Sequence, residues 1–589
     1  MANVWPVQTS AASPFDNLGP GTPGGGYAIA DTSQITKSYA LNLGASAVCL
    51  TMSGAHSGAI GVKCNGASVL KCAVMNGSDS HFMGGNCRGL NAANAIGIDM
   101  EAGNQAASET YIEGNSTTGA GVLTNGDNNV VGPDLVIQSN PIDTLQDGIR
   151  FPGAGNHNNV TINGNYVGDV QHSAFYMNGV GTLCKVINNT SKLHLFNLTG
   201  SSGAWVVTPY SATFAPIHFA LFGIGQNIDY IGNQAVGGWR GAWMAGSGFN
   251  FNMAVRENKF FGVAGADVIC ESAGCNVSNN YNNNNGAIYG LACDQSCTGV
   301  SSKANQPCMA DADCTAGGTT CNATVTSTGP CHPEPILAMV FSAQHFTASN
   351  NLLYDGHANS GFTSGQGPTQ CSGTTTNAGQ ICNTSAGTCA GGATCSGTPA
   401  TCQTGTEKGL LCCTGGAPTC VVRGNGTGYI QYVDSGTNNG EADNHINDNT
   451  MFNWHNSMVG VDFAGYVNTG NLATFRSQVV HNSFDNDLSA TGTPIGIRFP
   501  VTVNAGFGVG TLDLSDNSFE GFSGPTTNIA NYQGSFGKIA LMGGHPVNAG
   551  FNGLTNAAQT LFAGVPSFGA PNITEATAQN TVGGPATIW

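Results

Sequence analysis

The segments VTINGNYV (160–167), KVINNTSKL (185–193), DYIGNQAV (229–236), AVRENKFF (254–261) and NVSNNYN (276–282) share one pattern. An alternating apolar stretch leads to an asparagine, then one further residue, then an apolar or aromatic side chain. The pattern returns in FTASNNLL (346–353), HINDNTMF (445–452), QVVHNSF (478–484) and LDLSDNSF (512–519). Its asparagines are Asn165, Asn189, Asn233, Asn258, Asn280, Asn351, Asn449, Asn482 and Asn517. The first five are spaced by 24, 44, 25 and 22 residues, that is, by one, two, one and one repeat units.

A strand advances about 3.3 Å per residue, so three short strands and three bends use a little over twenty residues per circuit. Each circuit then stacks about 4.8 Å above the last, with parallel hydrogen bonds between equivalent strands. The sequence therefore predicts an all-β fold, a right-handed parallel β-helix (solenoid). The asparagine is expected at a bend where the backbone turns left-handed, a conformation that Asn tolerates best after Gly. Equivalent amides in successive coils are expected to bond as a ladder. The residues two before and two after each asparagine are expected to point inward.

Composition agrees with a repetitive β protein. Glycine accounts for 86 of 589 residues, charged residues for 8% and hydrophobic residues for 40%, with 27 Phe along the chain. Average globular domains carry about 25% charged residues, while a disordered chain needs low hydrophobicity and high charge. The formal net charge of −17 comes from sparse acids, and no Lys/Arg run exists to displace phosphate counterions. Nucleic acid is therefore not an expected partner. No stretch of 18 apolar residues occurs, so no membrane span is expected. The N-terminal MANVWPVQTSAASPFDNLGPGTPGGG has neither a basic n-region nor an apolar h-region, so no signal peptide is visible in this chain.

Fourteen of the 21 cysteines lie between Cys293 and Cys420. Cys297-TGVSSKANQP-Cys308 matches Cys371-SGTTTNAGQI-Cys382, and Cys308–Cys314–Cys321 matches Cys382–Cys389–Cys395. Cys331, Cys402, Cys412, Cys413 and Cys420 complete the set, the last four in a degenerate third copy. Their spacing is mostly too wide for zinc-type Cys-x2-Cys pairs. Small Gly/Thr/Ser loops cannot bury a core, so crosslinks are expected to hold them, in an oxidising compartment and with open connectivity. The expected organisation is an end or attachment segment at 1–45 and β-helix at 46–290. A first insert follows at 291–335, one or two coils at 336–366, a second insert at 367–422, β-helix again at 423–522, and a cap or assembly segment at 523–589.

The Asn-x-apolar bends, together with DGIRF (147–151), resemble the right-handed parallel β-helix repeat proteins over 46–290 and 423–522. The resemblance implies the fold and leaves the function open, because members include pectin and alginate lyases, galacturonan hydrolases, epimerases, phage tailspikes and bacterial adhesins. The inserts resemble short Cys-rich repeats of exported proteins from environmental bacteria. A polysaccharide lyase or hydrolase of this family implies acids and a base on one sheet face, with Ca²⁺ in some lyases. The candidate catalytic set here is Asp147, Arg150, Asp169 and His172, since HSAFYM (172–177) reads as the strand of DGIRF one coil later. An Asp before Gly is equally a turn residue. No Gly-His-Gly, Arg-Ile-Lys or Asp-Pro-His motif of the enzyme members is present.

Trp239, Arg240, Trp243 and Phe251 in GGWRGAWMAGSGFNFN form a candidate glycan-binding set, or else cover an apolar coil edge. No cofactor and no metal site is expected outside the lyase alternative. The expected role is structural or adhesive, at an extracellular, cell-surface or virion location. The expected partners are polysaccharide or cell-surface glycan and copies of the chain itself, as trimer or filament. The alternative is a secreted polysaccharide lyase or glycoside hydrolase.

Overall fold

A computed structural model of the chain describes residues 47–66, 68–139, 145–153, 156–193, 216–238, 240–244, 251–263, 266–270 and 274–283. Further along it describes 337–340, 345–354, 428–433, 442–452, 459–462, 475–485, 495–499, 511–514 and 516–520, with isolated strands elsewhere. Contacts divide the chain into two compact units, Met1–Gly238 and Trp239–Trp589.

In the first unit successive circuits feed three parallel sheets, some giving two strands to the second, which makes it a right-handed parallel β-helix. Sheet 1 stacks Ala47–Met52, Val69–Met75, Ile96–Met100, Ala120–Thr124, Asp147–Phe151, Ser173–Met177 and Ile217–Leu221. Sheet 3 stacks Lys63–Gly66, Asn86–Leu90, Tyr111–Gly114, Val136–Ser139, Tyr166–Gly168, Thr190–Leu193 and Gln234–Gly237. Sheet 2 lies between them in the chain, with Thr161–Asn163, Lys185–Ile187 and Ile224–Ile231 among its strands. The register keeps like above like: Val122, Ile149, Phe175 and Phe219 form one fully buried column. In the second unit the same three-sheet pattern runs from Arg240–Met244, Phe251–Arg256 and Lys259–Phe261 to Ile495–Phe499, Thr511–Asp513 and Ser518–Glu520.

The asparagine ladder forms at the bend between sheets 2 and 3. In the first unit Asn165 Nδ2 donates to Asn189 Oδ1 at 3.0 Å, and Asn189 Nδ2 to Asn233 Oδ1 at 3.0 Å. In the second, Asn258, Asn280, Asn351, Asn449, Asn482 and Asn517 repeat the contact at 2.9–3.1 Å. Oδ1 of Asn189, Asn233, Asn280, Asn351, Asn449, Asn482 and Asn517 also accepts the preceding ladder residue's backbone N–H. Asn165 Oδ1 accepts Leu135 N–H, and Asn189 Nδ2 donates to Ile162 O at 3.1 Å. All nine are at most 3% exposed.

Two expectations are corrected here. The left-handed residue is the one before the ladder asparagine: Asn188 (φ 55°), Glu257 (φ 59°), Asn279 (φ 56°), Asn350 (φ 54°), Asp448 (φ 58°), His481 (φ 56°) and Asp516 (φ 56°), with Gly164 and Gly232 in the same place. That turn shifts the inward position, so the buried side chains lie three before and two after the asparagine. Ile162 and Val167 flank Asn165 in this way, and Val255 and Phe260 flank Asn258.

Sheets 1 and 3 face each other closely, and the facing side chains are matched in volume. A Cβ on Gly97, Gly121 or Gly148 of sheet 1 would come within 2.8 Å, 2.7 Å or 2.6 Å of Ile112, Ile137 or Val167. At Gly97 and Gly148 the next coil's carbonyls, Gly121 O at 2.3 Å and Ala174 O at 2.4 Å, would be closer still, so both the facing side chain and the adjacent coil exclude a Cβ there.

The cysteine-rich blocks lie outside the described residues, apart from short strand backbones. In these, Cys371 stands opposite Cys420 and Cys395 opposite Cys402 in antiparallel pairs. Cys293, Cys297, Cys308, Cys314, Cys321, Cys331, Cys382, Cys389, Cys412 and Cys413 all fall outside. The strands on either side of the blocks pair directly: Leu337–Val340 pairs in parallel with Val268–Cys270 and with Gly428–Val433. That register supports the reading of 291–335 and 367–422 as inserts. Replacing 367–422 by a short Gly-Ser bridge should leave the far-UV β signal and most thermal stability intact, and global unfolding would contradict it.

The ladder geometry yields a sharper expectation. Asn189→Gly strips partners from the buried Asn165 N–H and Ile162 O and should cost about 2 kcal/mol, read by denaturant unfolding. Asn188→Gly, one residue away at φ 55°, relieves left-handed strain and should be neutral or stabilising. Equal effects at both positions would contradict the assignment.

Candidate functional site

Sheet 1 carries one band of polar side chains in the first unit, on its outer face, and sheet 3 another at Arg88, Tyr111 and Glu113, where Arg88 Nε lies 3.8 Å from Glu113 Oε2. Asp99, Leu123, Arg150 and Tyr176 are register partners in consecutive coils, with Val74 before and Ala220 after them. Leu123, Arg150 and Tyr176 are partly exposed along the stack, and Asp99 is fully buried.

Three of the four predicted catalytic residues meet at this face. His172 Nδ1 lies 2.9 Å from Asp147 Oδ1, and Arg150 Nη1 lies 3.3 Å from Asp147 Oδ2 and 3.3 Å from Gln146 Oε1. Asp147 and Ser173 are register partners, which places His172 beside Asp147 one coil on. Asp169 stands in the bend before that strand, at φ 55°, with its N–H donating to Lys192 O at 3.0 Å. Burial, with the nearby Asp169 charge added, holds the Tyr166 hydroxyl above its ordinary value.

The geometry limits what the cluster can do. Asp147 is 1% exposed, Ser173 0% and His172 7%, and the Arg150 side chain at 21% is the part that reaches solvent. Ser173 Oγ lies 3.1 Å from the same His172 Nδ1 that meets Asp147. A serine nucleophile needs the base to use one ring nitrogen for the carboxylate and the other for the hydroxyl. With both partners on Nδ1, the arrangement is a buried charge cluster, and both Asp147 oxygens have a partner. The His172 ring packs edge-on against Tyr176 at 5.0 Å, and Tyr176 against Phe222 at 5.9 Å.

A second cluster lies on the same face and was not singled out from the sequence. Lys71 Nζ pairs with Asp99 Oδ2, and lies 3.9 Å from Glu101 Oε1. Burial and the neighbouring Asp99 carboxylate raise the Glu101 pKa above its ordinary value. Lys71 and Glu101 are 25% and 40% exposed. The signal was Lys71 and Asp99, 28 residues apart, close to one circuit but masked by the absence of a local motif.

In the candidate glycan-binding set, Trp239 lies outside the described residues. Arg240 and Trp243 are 2% and 4% exposed, with the Arg240 guanidinium 3.9 Å above the Trp243 ring, so the stacking face of that pair is internal. Phe251 is 40% exposed. Among the described residues no group of three or more His, Cys, Asp or Glu side chains could hold a metal ion, and no helix is long and apolar enough to cross a membrane. The described disulfides are Cys72–Cys87 and Cys270–Cys275, neither of them among the fourteen cysteines singled out by sequence.

Two buried polar pairs interrupt the core. His218 occupies the glycine row of sheet 1, its Nε2 2.8 Å from Gly237 O and its Nδ1 2.6 Å from Ser191 Oγ. A carbonyl can only accept, so Nε2 carries the proton and Nδ1 accepts from Ser191. Burial lowers the His218 pKa to about 4. In the second unit Asn282 Nδ2 donates to Asp267 Oδ2 at 3.0 Å, and burial raises the Asp267 pKa to about 8.

No protein-family model matches the chain, and no curated protein matches it. Among solved structures it is similar to two mutants of the tailspike protein of E. coli bacteriophage HK620. One, in complex with a pentasaccharide, is 10% identical, covering 92% of this chain and 69% of its own at a TM-score of 0.28. The other, in complex with a hexasaccharide, is 9% identical, covering 92% and 71% at a TM-score of 0.32. The strand register, not this likeness, establishes the fold.

The two buried titrations act in opposite directions. Asp267 binds its proton more tightly folded (about 8) than unfolded (3.8), so its contribution to stability is lost as pH rises through that window. His218 binds its proton less tightly folded (about 4) than unfolded (6.5), so its contribution is lost as pH falls from 6.5 towards 4. Asp267→Asn should remove a fall in Tm as pH rises from 3.8 to about 8, and His218→Gln a fall as pH drops from 6.5 to about 4. A profile unmoved by both variants would contradict the assignments.

Proposed function

We propose that this chain is an extracellular or virion surface β-helix with a structural and adhesive role, contacting polysaccharide along the outer face of sheet 1. The observation that carries this reading is the outer row Asp99, Leu123, Arg150 and Tyr176, flanked by Lys71 and Glu101. Lys71, Glu101, Arg150 and Tyr176 present cation, carboxylate and aromatic groups along it and are partly exposed, while the Asp99 carboxylate is buried beneath Lys71. Such groups bond sugar hydroxyls and stack on ring faces. Phe251 offers a further exposed aromatic face in the second unit. The Cys72–Cys87 and Cys270–Cys275 disulfides support folding in, or release to, an oxidising environment. Self-association as trimer or filament belongs to the same reading, since an open β-helix presents strand edges that pair with other chains.

The convergence of Asp147, Arg150 and His172 supports a second reading, a secreted polysaccharide lyase or glycoside hydrolase, with Ca²⁺ as the cofactor a lyase would use. The closed state of that cluster favours the binding role.

A glycan array, followed by turnover assays on each hit, separates the two. The binding reading expects hits whose affinity falls about tenfold or more in Arg150→Ala and Tyr176→Ala, with no product released. Turnover abolished by Asp147→Asn would establish the enzyme. An array with no hit, or hits indifferent to both row variants, would contradict the proposed face.

A further inference from the structure

In three successive coils of the first unit one sheet 1 position faces a residue of sheet 3 across the core, in the Gly97/Ile112, Gly121/Ile137 and Gly148/Val167 pairs. One coil earlier than Gly97, the two positions are Cys72 and Cys87, joined as a disulfide with a Cα–Cα distance of 5.9 Å and a sequence separation of 15. Cys87 and Ile112 are register partners, so the disulfide sits in the same row as the apolar pairs.

One coil earlier again, the same two positions hold Cys49 and Cys64. Cys64 is the direct register partner of Cys87. Cys49 lies between Val48 and Leu50, whose partners Lys71 and Ala73 lie on either side of Cys72. The separation from Cys49 to Cys64 is again 15 residues. Both side chains are buried, at 0% and 1% exposure, and the two thiols interact with each other. The equivalent backbone one rung on already has the Cα separation that a disulfide requires, within about 4.4–6.8 Å.

We propose that Cys49 and Cys64 form a disulfide, so that sheets 1 and 3 are joined covalently at two successive rungs. The oxidant is a low-molecular-weight or protein disulfide acting by thiol–disulfide exchange. One cysteine thiolate attacks the oxidant's S–S bond, giving a mixed disulfide and one released thiol. The second thiolate attacks the bonded cysteine sulfur, closing Cys49–Cys64 and releasing the oxidant's other half as a thiol. Two cysteine thiols are thereby oxidised and one external disulfide is reduced to two thiols.

Exchange requires a thiolate, and burial in the finished core pushes the Cys64 thiol well above its ordinary value. The bond therefore forms while the coil is still assembling and is kinetically protected once packed. Cys184 differs. Its Sγ donates to His157 O at 2.8 Å, burial pushes its thiol up to about 11, and the facing-pair row does not include it. It serves as the internal thiol control. The inference is independent of glycan binding.

Peptide mapping tests it on the intact chain. The protein is folded in a buffer of oxidised and reduced glutathione, unfolded without reductant, alkylated, and digested with trypsin. Lys63 lies between the two cysteines, so a Cys49–Cys64 bond holds peptides 38–63 and 64–71 together, while Cys72–Cys87 closes a loop within 72–88. The expected result is a linked 38–63/64–71 pair that separates on reduction, with Cys184 alkylated. A digest in which Cys49 and Cys64 are not joined to each other, whether alkylated or bonded elsewhere, overturns the proposal.

Discussion

A primary amide taken out of water has two N–H groups and a carbonyl oxygen that must find partners, or its burial costs about 1–3 kcal/mol for each group left unmet. The ladder asparagines meet that demand only if successive coils lie directly above one another. Asn189 Oδ1 accepts both the backbone N–H and the Nδ2–H of Asn165, while its own Nδ2 reaches Asn233 Oδ1 and Ile162 O. A coil shifted by one residue would strand all of these at once. The ladder therefore fixes the register from which the apolar columns of each unit follow, and with it the placement of every outward side chain. It also separates two tasks that a single residue would perform badly. The left-handed turn falls to Asn188, Glu257, Asn279 and their equivalents, which are free to vary, and the bonding falls to the asparagine beside them.

The second constraint is volume across the core. Between sheets 1 and 3 the chain alternates which side fills the gap: glycine against Ile112, Ile137 and Val167, and a disulfide at Cys72–Cys87. Where the glycine row instead holds a large polar residue, the neighbouring positions of sheet 3 shrink, as with His218 against Ser191 in the first unit. Buried polar pairs of this kind are specific and pH-sensitive, because protonating His218 or ionising Asp267 puts a charge where no water can reach it.

The repeat was legible because it is written in one residue type at a nearly constant period. All nine asparagines read from the sequence are the ones that bond. The inward position before each asparagine was misassigned by one residue, while the one after it was right, since a left-handed turn changes which face the preceding strand presents and has no unique letter: Gly, Asn, Glu, Asp and His all occupy it. The meeting of Asp147 with His172 followed from a coil-long offset, whereas its burial did not, because exposure depends on what neighbouring bends cover. The aromatic run allowed two readings, glycan-binding faces or cover for an apolar coil edge, for a related reason. Trp243 and Arg240 stack on each other inside a strand buried throughout, where sequence alone could equally set them on a loop. Lys71 with Asp99 and Glu101, and Cys49 with Cys64, are pairings across coils or sheets, visible only once the register is known.

Native-state hydrogen exchange at the ladder amides tests the central claim most directly, because it reads each backbone N–H that a neighbouring asparagine holds. The backbone N–H groups of Asn165, Asn189, Asn258, Asn280, Asn351, Asn449 and Asn482 each donate to a ladder Oδ1 and are buried at a bend. The account predicts that they exchange as slowly as the central strand amides of their own unit, by global unfolding. Exchange at these bends as fast as at exposed turns would show that the ladder does not hold the coils in register, and would contradict it.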